Sequence, residues 1–312
     1  MKVLVTGGAG FIGAHLVEAL RARGDAPIVF DSLDPASGDP ARRAAAAAAL
    51  GVPVLRADIR DEGAVLRAVD GVDAVVHLAA RAGVRESLAD PLTYESVNLR
   101  GTAVLIDALR QAGPRPLVFA SSSSVYGAGT GLFAEDHPAD APLSPYAATK
   151  RGGELLLHAA ARGWGQPAVC LRFFTVYGPR QRETMAIARF VGAALGGPAA
   201  PVYGDGSALR DYTEVSDAVS AVLAALDRGP AWGVFNVGSG APIRLDALIA
   251  LIGALAGAPV RTVPAPAQPG DVPSTHADLS RVQSGLGWSP RVRLDTGLAR
   301  VIAWARAAAP GA

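Results

Sequence analysis

Lys2-Val3-Leu4-Val5-Thr6-Gly7-Gly8-Ala9-Gly10-Phe11-Ile12-Gly13 is the stretch that decides the fold. An apolar run turns abruptly into glycines at positions 7, 10 and 13, and an amphipathic stretch follows over 11–23. This is the pattern of a buried strand turning into a helix. Missing side chains let the backbone approach a pyrophosphate, and the helix N-terminus offers unpaired N–H groups. Gly7, Gly10, Phe11, Ile12 and Gly13 are therefore candidate cofactor contacts. Asp31 closes the next apolar run, where such folds place the acid that receives the adenosine ribose hydroxyls. A carboxylate there repels a 2′-phosphate, and Ser32, Leu33 and Asp34 bring no compensating cation, so NAD is expected rather than NADP.

Outward from this stretch, short apolar runs alternate with helix-length segments, the pattern of a doubly wound parallel sheet of Rossmann type. Strands are predicted over 2–6, 27–31, 54–57, 74–78, 116–121 and 168–172, and helices over 11–23, 40–50, 62–69, 94–111 and 145–162. Asp58 and Ile59 after the third strand are candidate adenine contacts, one polar and one apolar. Leu78, Ala79 and Ala80 after the fourth are small enough for backbone to pass beside a cofactor, and His77 is read as a packed strand-end residue. Beyond residue 175 glycine and proline rise, and a helix over 217–226 with a strand over 234–237 again suits the main sheet. The expected organisation is thus a cofactor domain over 1–175 and 211–239, with a smaller mixed α/β substrate domain over 176–210 and 240–312.

The chain has 312 residues, half of them hydrophobic, enough for a large core and a second small domain. A net charge of +1 provides no field for nucleic acid or an anionic membrane, and neither partner is expected. No apolar run approaches the ~20 residues of a membrane span. The lone Cys170 sits in an apolar run and has no disulfide partner, which fits a reducing cytoplasm. The first strand begins at residue 2, so no signal peptide is expected. The histidines are scattered and no cysteine cluster exists, so no metal site is expected; no GxSxG elbow and no phosphate-transfer loop are present either.

The chemistry is carried by Pro145-Tyr146-Ala147-Ala148-Thr149-Lys150, near the start of a predicted helix. An i,i+4 spacing puts Tyr146 and Lys150 on one face, about 6 Å apart at Cβ. Free tyrosine, with a pKa of about 10, is a poor base at neutral pH, and a neighbouring ammonium favours its phenolate. Ser121-Ser122-Ser123-Ser124 ends the fifth strand, where hydroxyls can hold a reacting alcohol and relay its proton.

With these motifs in place, the chain resembles the extended short-chain dehydrogenase/reductases, and among them the NAD-dependent nucleotide-sugar epimerases. The likeness runs through GGAGFIG, HLAARAGVRESL, VNLRGT, SSSSVYG, YAATK, LRFFTVYGPRQR, YGDG, RDYTEVSD, NVGSG and GDVPSTHAD, and is nearest to UDP-glucuronate 4-epimerases. The resemblance implies a catalytic Ser122, Tyr146 and Lys150, with Asn98 near the cofactor. It implies Arg210 on the substrate diphosphate and Asp271 on the uridine ribose. Gln268 stands where many relatives carry a further arginine. It also implies a homodimer, formed through the helices near 94–111 and 145–162.

The reaction so implied is redox-neutral: a UDP-sugar is oxidised at C4 to a ketone, swings about its diphosphate and is reduced on the other face, while NAD stays bound. Ser123 and Ser124 occupy positions where dehydratases and decarboxylases of the family place carboxylates, and serine is poorly suited to protonate a departing hydroxyl. Paired hydroxyls there, Thr175 and the arginines Arg182 and Arg85 suit a carboxylate on the sugar, arginine by its forked geometry. UDP-glucuronate is therefore expected over the neutral hexose of a UDP-glucose/UDP-galactose 4-epimerase. A cofactor-releasing reductase and a non-catalytic dinucleotide sensor are the remaining alternatives.

Overall fold

A computed structural model describes residues 1–35, 40–129, 131–268 and 270–308. Residues 36–39, Thr130, Pro269 and 309–312, which the expected domains include, lie outside the described residues. Elements follow in the order β1 (Lys2–Thr6), α1 (Phe11–Ala22), β2 (Ala26–Asp31), α2 (Pro40–Ala49), β3 (Val54–Arg56), α3 (Glu62–Val69), β4 (Ala74–His77), α4 (Val84–Ala89) and α5 (Pro91–Tyr94). A π turn (Glu95–Arg100) then leads into α6 (Gly101–Ala112), β5 (Leu117–Ser122), α7 (Pro145–Trp164), β6 (Ala168–Phe173), β7 (Thr175–Tyr177), α8 (Ala186–Ala194) and β8 (Ala200–Tyr203). The remainder is β9 (Leu209–Arg210), β10 (Tyr212–Glu214), α9 (Val215–Arg228), β11 (Trp232–Val237), β12 (Ile243–Arg244), α10 (Leu245–Ala256), β13 (Thr262–Ala265), α11 (Ser280–Leu286) and α12 (Leu294–Ala308).

Seven parallel strands form the main sheet in the order β11-β6-β5-β4-β1-β2-β3. The order reverses at β1, so a crevice opens at the carboxyl ends of β1 and β4, where open α/β sheets bind ligands. Strands β4, β5 and β6 are buried on both faces, which explains their continuous apolar runs. One core packs α1, α9 and α11 on the sheet through Leu16, Val17, Leu20, Val222 and Leu286. Burial of each large aliphatic side chain contributes roughly 1.5–3 kcal/mol. The other face is covered by α3, α6 and α7, with Val69, Leu105, Leu109, Leu157 and the fully buried Cys170. A further core gathers Phe190, Leu248, Ile252, Leu298 and Ile302 from α8, α10 and α12. No helix among the described residues is long and apolar enough to cross a membrane.

Local chemistry sets the element ends. Asp61 accepts a hydrogen bond from the Ala64 N–H at 2.9 Å to cap α3, and Ser144 caps α7 on Ala147 at 3.2 Å with Pro145 following. Gly165, at φ 74°, stops α7. The single helix predicted over 94–111 is replaced by α5, one π turn and α6. The π turn holds the buried Asn98, whose amide donates to the Arg81 carbonyl and accepts from the Arg81 N–H. That tertiary demand overrides the regular helical register.

Candidate active site

The carboxyl ends of the strands open into a cavity of about 1660 Å³. One end is the β1–α1 turn. Gly7 has φ 70°, and a Cβ there would lie 2.7 Å from the Ala79 nitrogen. A Cβ on Gly13 would lie 2.3 Å from the Gly7 carbonyl oxygen, so any side chain would force the turn open. Gly10 is the N-cap of α1 and provides no side-chain cap, leaving the first-turn N–H groups of the helix to the cavity. Phe11 and Ile12 line the same wall. Asp31 is buried beside them, its carboxylate accepting from Ala9 N–H at 3.1 Å and Leu33 N–H at 2.9 Å. An uncapped helix start, a turn that admits no Cβ and a carboxylate at the next strand end fit a dinucleotide with free ribose hydroxyls.

Asp58, Ile59, Leu78, Ala79 and Ala80 also line the cavity. Arg60 clamps Asp58 through Nε at 2.9 Å and Nη2 at 2.6 Å, so that carboxylate faces the cavity already neutralised. His77 is fully buried between the Thr6 and Thr102 hydroxyls, at 2.7 and 3.1 Å. Burial, with the nearby Lys150 charge, pushes its pKa down to about 3, so it is a neutral packing residue. Besides contacting Arg81, the Asn98 amide donates to the Thr149 hydroxyl of α7 at 3.0 Å.

At the cavity's centre, β5 and α7 bring Ser122, Tyr146 and Lys150 together. The Ser122 and Tyr146 side chains line the same stretch of the cavity. Burial raises the Tyr146 pKa, opposed by the neighbouring Ser122 side chain and by the Arg182 charge. Lys150 Nζ donates to the Ala120 carbonyl at 2.7 Å and lies 5.0 Å over the Phe119 ring. Burial pushes its pKa down to about 8, with Glu154 opposing. Two of the three ammonium donors remain for a ligand. Tyr94 sets its ring edge-on to Tyr146, centroids 6.3 Å apart.

Ser123, Ser124, Thr175, Arg182, Arg210, Arg85 and Asp271 line the far side. Ser123 and Ser124 begin a 3₁₀ turn after β5, in which the Ser124 N–H donates to the Ser122 hydroxyl at 3.1 Å. Arg85 and Asp271, assigned to separate roles from sequence, are joined at 2.8 Å, and the Arg85 guanidinium lies 4.0 Å over the Tyr203 ring. Arg210 is half-buried and donates to the Leu209 carbonyl at 2.8 Å. Among the described residues, no group of His, Cys, Asp and Glu could hold a metal ion.

The sequence did not reveal what supports this centre. Glu154 and Arg172 form an ion pair at 2.8 Å, both side chains nearly inaccessible, directly behind Ser121. Glu154 follows Lys150 by four residues on α7, a helical spacing that could have flagged it.

The profile of the NAD dependent epimerase/dehydratase family matches residues 3–238. A probable UDP-glucuronate 4-epimerase of Rhizobium meliloti is 34% identical, the match covering 97% of this chain and 96% of the relative. The structure of MoeE5 in complex with UDP-glucuronic acid and NAD is 38% identical, with a TM-score of 0.90, covering 99% of this chain and 100% of that one. UDP-glucuronic acid 4-epimerase of Bacillus cereus, solved with UDP-glucuronic acid and NAD, is 33% identical with a TM-score of 0.91, covering 98% and 99% of the two chains.

Proposed function

The chain belongs to the NAD dependent epimerase/dehydratase family, and from that premise we propose that it is an NAD-dependent isomerase that interconverts UDP-glucuronate and UDP-galacturonate at C4. The observation that carries this reading is the continuous cavity. It joins the glycine turn and Asp31 to the Ser122–Tyr146 pair and to Thr175, Arg182 and Arg210. Bound NAD would supply a hydride acceptor for C4 and, once reduced, the hydride donor for the opposite face of the sugar. Gly7, Gly10, Phe11, Ile12, Gly13 and Asp31 would hold it, with Asp58 to Ile59 and Leu78 to Ala80 along its adenine and central portions.

Tyr146 takes the C4 hydroxyl proton while Ser122, lining the cavity with it, orients the alcohol and relays that proton. Lys150 keeps positive charge beneath the site and has donors left for the cofactor. Arg210 would hold the diphosphate about which the 4-keto sugar turns. Asp271 would hold the uridine ribose while sharing Arg85. Hydrogen bonds from Ser123, Ser124, Thr175 and Arg182 to the C5 carboxylate localise its charge on oxygen and hold back loss of CO₂ from the 4-keto sugar.

Incubation with UDP-glucuronate and no added cofactor should give UDP-galacturonate by NMR, with no net change in NADH absorbance. A pentose product would make the enzyme a decarboxylase, and conversion of UDP-glucose alone would make it a UDP-glucose epimerase. Absence of any product would leave a dinucleotide-binding protein. We further infer a homodimer through the helices near 94–111 and 145–162; Leu155 of α7 is 53% exposed, and Leu88 and Leu92 on α4 and α5, which pack against α7, are 45% and 80% exposed. A reducing cytoplasm suits the lone, buried thiol. The division into a cofactor part and a substrate part with its own core around α8, α10 and α12 is retained in this proposal.

A further inference from the structure

Three motifs, RDYTEVSD, NVGSG and GDVPSTHAD, have no role in the chemistry beyond Arg210 and Asp271, yet they meet at one carboxylate. Asp211 is wholly buried behind the cavity wall. Its Oδ1 accepts from the Ser239 N–H and the Ser239 hydroxyl, each at 2.7 Å. Its Oδ2 accepts from the Gly240 N–H at 3.0 Å and the Ala277 N–H at 3.1 Å. The Asp211 N–H donates to the Thr275 hydroxyl at 3.1 Å, and His276 Nε2 pairs with the Gly240 carbonyl at 3.1 Å.

These bonds tie three segments together. The first is β9 with Arg210, the second the loop leaving the main sheet after β11, and the third the run from Asp271 to Ala277. The first and third also meet through Leu209 N–H to the Pro273 carbonyl at 3.0 Å and Thr275 N–H to the Leu209 carbonyl at 3.1 Å. Gly238 permits the closure: a Cβ there would lie 2.5 Å from the Ala277 Cβ and 3.0 Å from Asp211 Oδ2. A carboxylate with every strong acceptor direction filled by protein donors has nothing left for a ligand. Its effect must pass through the groups it fixes.

We propose that Asp211 is a positioning residue, which sets the nucleotide-holding wall of Arg210 and Asp271 at a fixed reach from the Ser122–Tyr146 centre by anchoring it to the carboxyl end of β11. This rests on the reading of Arg210 and Asp271 as contacts to a UDP-sugar. In Asp211→Asn, an amide NH₂ faces backbone N–H donors, the cluster parts and the wall shifts. The glycine turn and Asp31 stand on β1 and β2, away from the knot, and keep their geometry.

The test measures UDP binding by calorimetry, NAD retained through gel filtration, and KM with kcat for the UDP-sugar. Asp211→Asn should weaken UDP binding and raise KM on the order of tenfold, the scale of a lost charged hydrogen bond, with retained NAD and kcat little changed. Gly238→Ala, whose Cβ would press on the Ala277 Cβ and on Asp211 Oδ2, should do the same. Ser239→Ala, losing one donor of the four, keeps the fold and should give a smaller change in the same direction. Unchanged UDP affinity in all three variants overturns the proposal, as does an equal loss of NAD retention. If the wild-type protein binds no UDP, the functional reading fails instead, which the wild-type titration separates from both other results.

Discussion

Glu154→Gln isolates what the buried ion pair contributes beneath the active site. The Glu154 carboxylate accepts from Arg172 Nε at 2.9 Å and Nη2 at 2.8 Å, from the Ser121 hydroxyl at 2.6 Å and from Arg151 Nη1 at 2.9 Å. The Glu154 and Arg172 side chains are 1% and 2% exposed. Glutamine keeps the length but removes the charge and turns an NH₂ group toward a donor. Arg172 then keeps one bond at most to the amide oxygen, besides the Glu135 carbonyl at 3.3 Å and the Tyr126 ring at 4.8 Å. Breaking a buried pair from one side costs about 3–5 kcal/mol. The residual partners of Arg172 place this case near 3 kcal/mol on that scale. Urea unfolding followed by tryptophan fluorescence should show the midpoint falling with an unchanged slope. The double variant Glu154→Gln with Arg172→Met, which leaves no unpaired charge, should recover most of the loss. Removing Glu154 also removes the field that supports the Lys150 ammonium, so the basic limb of the activity profile should move to lower pH. A loss under about 1 kcal/mol in the single variant, well below the buried-pair range, would refute the reasoning.

Other outcomes follow from the same geometry. Lys150 has its pKa pushed down to about 8, so it is protonated at neutral pH, and turnover should fall as pH rises through that value. A rate independent of pH up to 10 would contradict the role given to the ammonium. Tyr146→Phe should lower kcat by about 10²–10⁴-fold while protein isolated from expression still carries NAD, measured by absorbance after denaturation. Gly13→Ala, whose Cβ would lie 2.3 Å from the Gly7 oxygen, should instead yield protein without NAD. Thr175→Ala should raise the pentose by-product from UDP-glucuronate several-fold and change UDP-glucose turnover less, read by NMR of the two reactions.

How much of this was legible in the sequence depended on whether the cause was local. Strand β1 and helix α3 match their predicted limits, because apolar run, cap and turn residues are all neighbours along the chain. The break at residues 95–100 was invisible, since it answers to Arg81 on another loop. The Tyr146–Lys150 spacing was plain, yet the lysine's hydrogen-bond partner, the Ala120 carbonyl, lies 30 residues away. Arg85 and Asp271 are separated by 186 positions, so two plausible separate roles hid one ion pair. Glu154 announced its face of the helix but not the strand guanidinium it neutralises.

The sealed position of Cys170 gives the protein a practical property. It is the only cysteine in the chain and is wholly inaccessible, so the folded enzyme should ignore maleimide reagents and alkylating agents. Any cysteine introduced on the surface then becomes the sole attachment point for a dye or spin label. Val263→Cys would place such a reporter on the exposed side of β13, without first stripping native thiols from the enzyme.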